Sequence, residues 1–251
     1  MHKLCQLAEM GVDRKDPGLE AVGERALARI SPEGPPEIPV NIPRAFGGTG
    51  EDLWTWLICD APVTLYALAT MGWTGDPRVR GGVEALAGLV RDGGWPCVGA
   101  PSIGKFHGPG SRSEPCPIAN VLMLRLLSAF YGFEAEKAAG IECLLRLWEH
   151  SRERAPYMFR MGTDFRKLKA PTFWYGLLSV ADVLSRYPAA IADPRFGDMA
   201  AGIRSKANPD GLFVPESVYL AWKEWDFGQK KAPSSWVTFL ATRIIDRAGL
   251  A

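Results

Sequence analysis

Three aspartates stand just ahead of apolar helical runs. They are Asp60 in Cys59-Asp60-Ala61-Pro62, Asp164 upstream of Lys169-Ala170-Pro171, and Asp226 upstream of Lys231-Ala232-Pro233. The last two share the spacing Asp-Phe-x-x-x-Lys-Ala-Pro. A carboxylate at a helix start can brace the unpaired amides there, worth up to about 1 kcal/mol. Where several such helices begin on one rim, the carboxylates can instead converge across its mouth. The same positions are basic: Arg166, Lys169 and Lys231, with Arg160, Lys167, Lys223 and Lys230, all lie at or before these starts. Helix N-termini joined by Lys and Arg make an anion site suited to a diphosphate. The alternative is a solvated rim in which these cations balance Asp164, Glu224 and Asp226.

Aromatic residues gather nearby, among them Tyr66, Phe173, Trp174 and Trp236. Ring faces attract cations, and aromatic side chains equally serve as plain core. Cys97, His107 and Cys116 fall in one connecting segment, with Cys59 and Asp60 one period earlier. Thiolate plus imidazole suits zinc, although Cys-x9-His-x8-Cys is no compact zinc signature, and buried cysteines commonly act as small hydrophobes. The sequence requires no cofactor and leaves zinc or magnesium open.

The elements that would position these residues repeat. Ala61-Pro62, Cys116-Pro117 and Ala170-Pro171 stand 55 and 54 residues apart, and Ala232-Pro233 follows after 62. Asp16-Pro17, Asp76-Pro77 and Asp193-Pro194 keep time with them. Proline is preorganised for the first helical position, and Asp is a strong N-cap. The pattern predicts apolar, buried inner helices over Pro62–Met71, Pro117–Tyr131, Pro171–Tyr187 and Pro233–Ala248. Amphipathic outer helices are predicted over Pro77–Arg91, Ala135–Ser151 and Pro194–Lys206. Leu4–Gly11 aligns with Leu65–Gly72, so the first inner helix begins at the N-terminus. The last inner helix lacks an outer partner, which fits either an irregular cap or a partner chain completing a ring. Ser31–Gly50, rich in Pro and Gly, reads as a long loop. Such periodicity implies stacked helical hairpins in one domain, 1–251.

Net charge is +1 over 251 residues, and 47% are hydrophobic. That excludes a global field recruiting nucleic acid or membrane, and no uninterrupted apolar run reaches transmembrane length. An odd count of five cysteines without an export signal predicts reduced thiols and a cytoplasmic location. No Gly-x-Ser-x-Gly elbow or P-loop lysine is present.

The turn Arg91-Asp92-Gly93-Gly94-Trp95, echoed by Pro209-Asp210-Gly211-Leu212-Phe213, resembles the Q-W repeat of squalene cyclases and the related turn in protein prenyltransferase β subunits. The resemblance implies an all-α fold, an α/α toroid: a barrel of parallel inner helices ringed by antiparallel outer ones, here small or incomplete, with about 4 to 5 hairpins. It further implies an isoprenoid-like hydrophobic ligand in an apolar centre, aromatic rings stabilising carbocations, and Asp60, Asp164 or Asp226 as proton donor. The family's Asp-x-Asp-Asp run is missing, as is the glutamine before the turn, which is Leu89 in one copy and Ala207 in the other. The expected function is therefore a terpenoid cyclase-like or prenyltransferase-like protein. A non-catalytic toroid, serving as a lipid-binding or protein-interaction scaffold, is the alternative.

Overall fold

A computed structural model describes residues 1–104, 114–151 and 165–250. The described chain is mostly helical and groups into two compact units, Met1–Gly140 and Ile141–Ala251.

The first unit contains α1 (His2–Glu9), α2 (Leu19–Leu27), α3 (Ala61–Leu68), α4 (Pro77–Ala87), α5 (Pro117–Leu127) and the start of α6 (Glu134–Glu149). α1 packs on α3, and α3 on α5. Every residue of α3 and α5 is buried, as an all-apolar helix requires. These inner helices run the same way. At one end, the Tyr66 hydroxyl donates to Glu9, at the end of α1, at 2.7 Å, and the Arg14 amide donates to the Met71 carbonyl. At the other end, the residues that open α3 and α5, Cys59 and Cys116, interact electrostatically.

The second unit holds α7 (Leu177–Leu184), α8 (Pro188–Ile191), α9 (Pro194–Arg204) and α10 (Ser235–Arg247). α7, α9 and α10 pack on one another. Buried Asp182 of α7 accepts from Arg243 of α10, and one turn later the Arg247 guanidinium donates to Ser185 at 3.1 Å. The partners are 61 and 62 residues apart, matching the last repeat spacing, and both advance together, so α7 and α10 are parallel.

Two devices recur between neighbouring elements. Asp76 and Asp193 cap α4 and α9 by accepting from the amides two residues on, Arg78 and Arg195. Those same arginines clamp the capping carboxylate and a glutamate on the preceding outer helix, Glu24 for Arg78 and Glu142 for Arg195, 54 and 53 residues back. The glycine-aspartate turn supplies the second device. Asn120 of α5 accepts from the Trp95 amide and donates to the Trp95 and Cys116 carbonyls. In the later copy Thr238 of α10 accepts from the Phe213 amide across the same 25 residues. Gly94 has φ 121 and would place a Cβ 2.3 Å from the Asn120 side-chain oxygen, so the turn admits only glycine there.

Five expectations need correction. Ser31–Gly50 is no plain loop: Ile38–Asn41 (β1) pairs antiparallel with Asp52–Thr55 (β2) in a two-stranded sheet, with Ile38 opposite Thr55. The β-favouring residues Ile38 and Val40 account for it. Pro171 does not open an inner helix. Residues 171–176 form turns and α7 begins at Leu177, because Thr172-Phe-Trp-Tyr-Gly176 lacks a good helix former. Pro233 precedes its helix, whose N-cap is Ser234, accepting from the Val237 amide at 3.1 Å. Asp16 caps nothing: its carboxylate accepts from Asp13 upstream, and Gly18 stands at the start of α2. The outer helices end two to four residues earlier than expected, at Ala87, Glu149 and Arg204.

Candidate functional site at the start of α3

The N-cap of α3 is Asp60, and its side chain bonds no amide of the helix. Pro62 removes one donor from the first turn. The carboxylate's partner is the neighbouring thiol, with Cys59 Sγ donating at 3.6 Å. Burial raises the Asp60 pKa above the ordinary carboxylate value, and the Cys59 hydrogen bond offsets only part of that rise. An acid that keeps its proton to higher pH suits proton donation. One turn along the same face of α3 lies Thr64. Its buried hydroxyl finds no partner among the described residues, and neither does the indole N–H of buried Trp56.

Three thiols converge beside this carboxyl. Leu57 bridges Gly99 antiparallel and the Ile58 amide donates to Val98, so the next step of the ladder sets Cys59 opposite Cys97. Pro96 bridges Pro115, and the Cys116 amide donates to the Trp95 carbonyl at 2.7 Å, which sets Cys116 opposite Trp95 and leaves Cys97 diagonal to it. The neighbouring Cys97 thiol, together with burial, drives the Cys116 pKa up. Burial, then the Asp60 and Cys97 charges, push Cys59 up as well. The pair expected to ligate metal thus does meet, yet among the described residues no group of three or more His, Cys, Asp or Glu side chains is arranged to hold a metal ion. His107 lies outside the described residues, as does Asp164.

The other expected site residues are in the second unit, apart from Tyr66, which is buried in α3 and bonded to Glu9. Asp226 braces a helix start: its carboxylate accepts from the Ser234 hydroxyl at 2.8 Å and the Trp236 amide at 3.1 Å. Arg166 stacks over Trp148 at 4.3 Å and donates to Ser151. Lys169 sits over the Tyr219 ring at 3.9 Å, and Lys231 is exposed in the turn before α10. Phe173 is buried against Trp222, which also packs on Trp225 and Phe227. Trp174 is about half exposed, and Trp236 stacks on Phe239. An open groove of about 680 Å³ follows α10, lined by Leu212, Pro233, Thr238, Phe239 and Arg243 among others. None of Tyr66, Phe173, Trp174 or Trp236 lines it.

Sequence reasoning missed Thr64 and Asn120. Both stand four residues after an N-cap, as does Thr238, so alignment on the caps Asp60, Cys116 and Ser234 would have exposed a recurring polar position in these helices. No family model matches the chain, and no curated protein matches it in sequence. No helix among the described residues is long and apolar enough to cross a membrane.

Proposed function

We propose that this chain is a small α/α toroid of the terpenoid cyclase-like or prenyltransferase-like kind, which binds an isoprenoid and uses Asp60 as its proton donor. The observation that carries the reading is the state of Asp60. It stands at the N-cap of an inner helix, bonds no helix amide, and has a pKa raised by burial. A capping carboxylate would be held ionised by amides; this one is biased toward the protonated acid. A proton passed from its oxygen to an alkene carbon would leave a carboxylate and a carbocation, and proton loss from the product cation would end the reaction. The parallel pairs α1 with α3, α3 with α5, and α7 with α10 are those a toroid requires. Within the second unit, Lys169, Lys231 and Arg166 are the residues proposed to hold a diphosphate, with Phe173, Trp174 and Trp236 proposed to meet the apolar chain of the ligand.

The test is incubation of the protein with farnesyl diphosphate and, separately, with squalene, followed by extraction and mass-spectrometric product analysis. Wild type should form product, and Asp60→Asn should lose about 100-fold or more of the rate, the usual weight of a general acid. Product formation undiminished in Asp60→Asn would remove Asp60 from the mechanism. The second reading, a toroid without catalysis that binds lipid or protein, draws support from Asp226, whose carboxylate serves wholly as a helix brace. Absence of any product with wild type would favour it.

A further inference from the structure

We propose that Cys59, Cys97 and Cys116 form a thiol–disulfide site that takes a small-molecule disulfide as oxidant, with Cys97 as the shared sulfur closing reversibly onto Cys116. The inference does not depend on the isoprenoid reading. Two backbone ladders carry it. One, through Leu57 and Gly99, sets Cys97 opposite Cys59; the other, through Pro96 and Pro115, sets Cys116 opposite Trp95 with Cys97 on the diagonal, close enough for the two thiols to interact. Cys97 therefore has a thiol neighbour on each side, on two different inner-helix starts. All five cysteines are thiols, and Cys5 and Cys143 are fully buried. Burial pushes Cys143 up to about 12, the behaviour of an inert core thiol. Cys59 and Cys97 are partly exposed, whereas Cys116 is buried at the N-cap of α5, so an oxidant meets Cys97 before Cys116.

The exchange balances without another reactant. Cys97, as thiolate, attacks one sulfur of the small disulfide; that S–S bond breaks, and the departing small thiolate takes the proton Cys97 gave up. The Cys116 sulfur then attacks Cys97 within the mixed disulfide. A Cys97–Cys116 bond forms, and a second small thiol leaves with the Cys116 proton. The protein loses two thiol hydrogens and the small disulfide is reduced to two thiols. Because its neighbours and burial keep Cys116 protonated, exchange should be slow at neutral pH and speed up as pH rises. The bridge would tie the return segment after α4 to the start of α5 and draw Cys97 off Cys59, the thiol bonded to Asp60.

The test treats the folded full-length protein with excess oxidised glutathione, blocks remaining thiols with N-ethylmaleimide, and maps a non-reducing digest by mass spectrometry. Two of the five thiols should become protected, a peptide linking Cys97 to Cys116 should appear, and dithiothreitol should reverse both. The oxidised form should melt several degrees higher, since a bridge restricts the unfolded chain. Cys97→Ser should abolish every intramolecular bridge, and Cys116→Ser should move the link to Cys59–Cys97. Five blocked thiols after oxidation, a bridge that omits Cys97, or bridges only between molecules would overturn the proposal. If Cys116→Ser fails to fold, the wild-type map and Cys97→Ser still decide it.

Discussion

Asp60, Cys116 and Ser234 occupy one position, the N-cap of an inner helix, and serve three different ends there. Ser234 caps, Cys116 joins a thiol pair, and Asp60 makes no cap bond, with burial outweighing the Cys59 thiol and the N-terminal ammonium that both favour its charged form. That contrast has a thermodynamic signature. A carboxyl whose folded pKa lies above its unfolded value binds its proton more tightly in the native state. Its favourable contribution is complete below the unfolded pKa, near about 4, and is lost as pH rises through the folded pKa. Asp60→Asn removes this titration, so the variant should match or exceed wild type in Tm at pH 7 and lose that advantage near pH 3. Thermal melts from pH 3 to 8 check it; a variant clearly less stable than wild type at pH 7 would mean that Asp60 is a structural cap after all. The aspartate's candidacy was legible from its place before Ala61-Pro62. Its electrostatic state was not, because that depends on Cys59 and on burial that only the folded chain supplies.

Elements are joined by the recurring caps and turns. Asn120 is buried with three hydrogen bonds to the Trp95 turn and the start of its own helix. Removing it strands the buried Trp95 amide, at about 1–3 kcal/mol, and takes one of two donors from each of the Trp95 and Cys116 carbonyls, which keep the Cys116 and Asn120 backbone amides. Asn120→Ala should therefore destabilise by about 2–4 kcal/mol, whereas Thr238→Val, which forfeits one bond, should cost about 1 kcal/mol. Urea denaturation of both variants measures the difference; equal, small losses would show that the turn is held by the Trp95 ring alone. Asp193 is held below the ordinary carboxylate range first by its hydrogen bond from the Arg195 side chain, and Asp76 likewise by Arg78. Their stabilisation is present above the unfolded pKa and is lost as pH falls through the depressed folded one. Asp193→Ala should cost about 1 kcal/mol at pH 7, and the deficit should close in acid as pH falls through the depressed folded pKa of Asp193. The Asp-Pro signal identified these helix starts correctly at Asp76 and Asp193. It failed at Asp16, which no arginine follows two residues after: Arg78 and Arg195 complete the cap, and position 18 is glycine.

At the scale of the whole molecule, the repeat was legible because proline and aspartate act locally, through φ and through capping, and so mark helix starts in any context. The spacing of 62 residues at the last repeat reappears as the Ser185 to Arg247 contact between parallel helices. What spacing concealed was nonlocal: the pairing of β1 with β2 and the meeting of Cys59, Cys97 and Cys116. Each depends on which segments lie side by side. The anion site stands between these cases. Lys169 and Lys231 share a sequence spacing, yet one lies on Tyr219 and the other in water. Neither supports the core, so both can be replaced without unfolding the chain. Calorimetric titration of farnesyl diphosphate into wild type and into the Lys169→Ala/Lys231→Ala double variant tests the isoprenoid reading most directly. Wild type should bind, and the double variant should bind severalfold or more weakly at an unchanged Tm, because charge-assisted bonds to the ligand are lost and no core is. No binding by wild type, or equal binding by both proteins, would contradict the account.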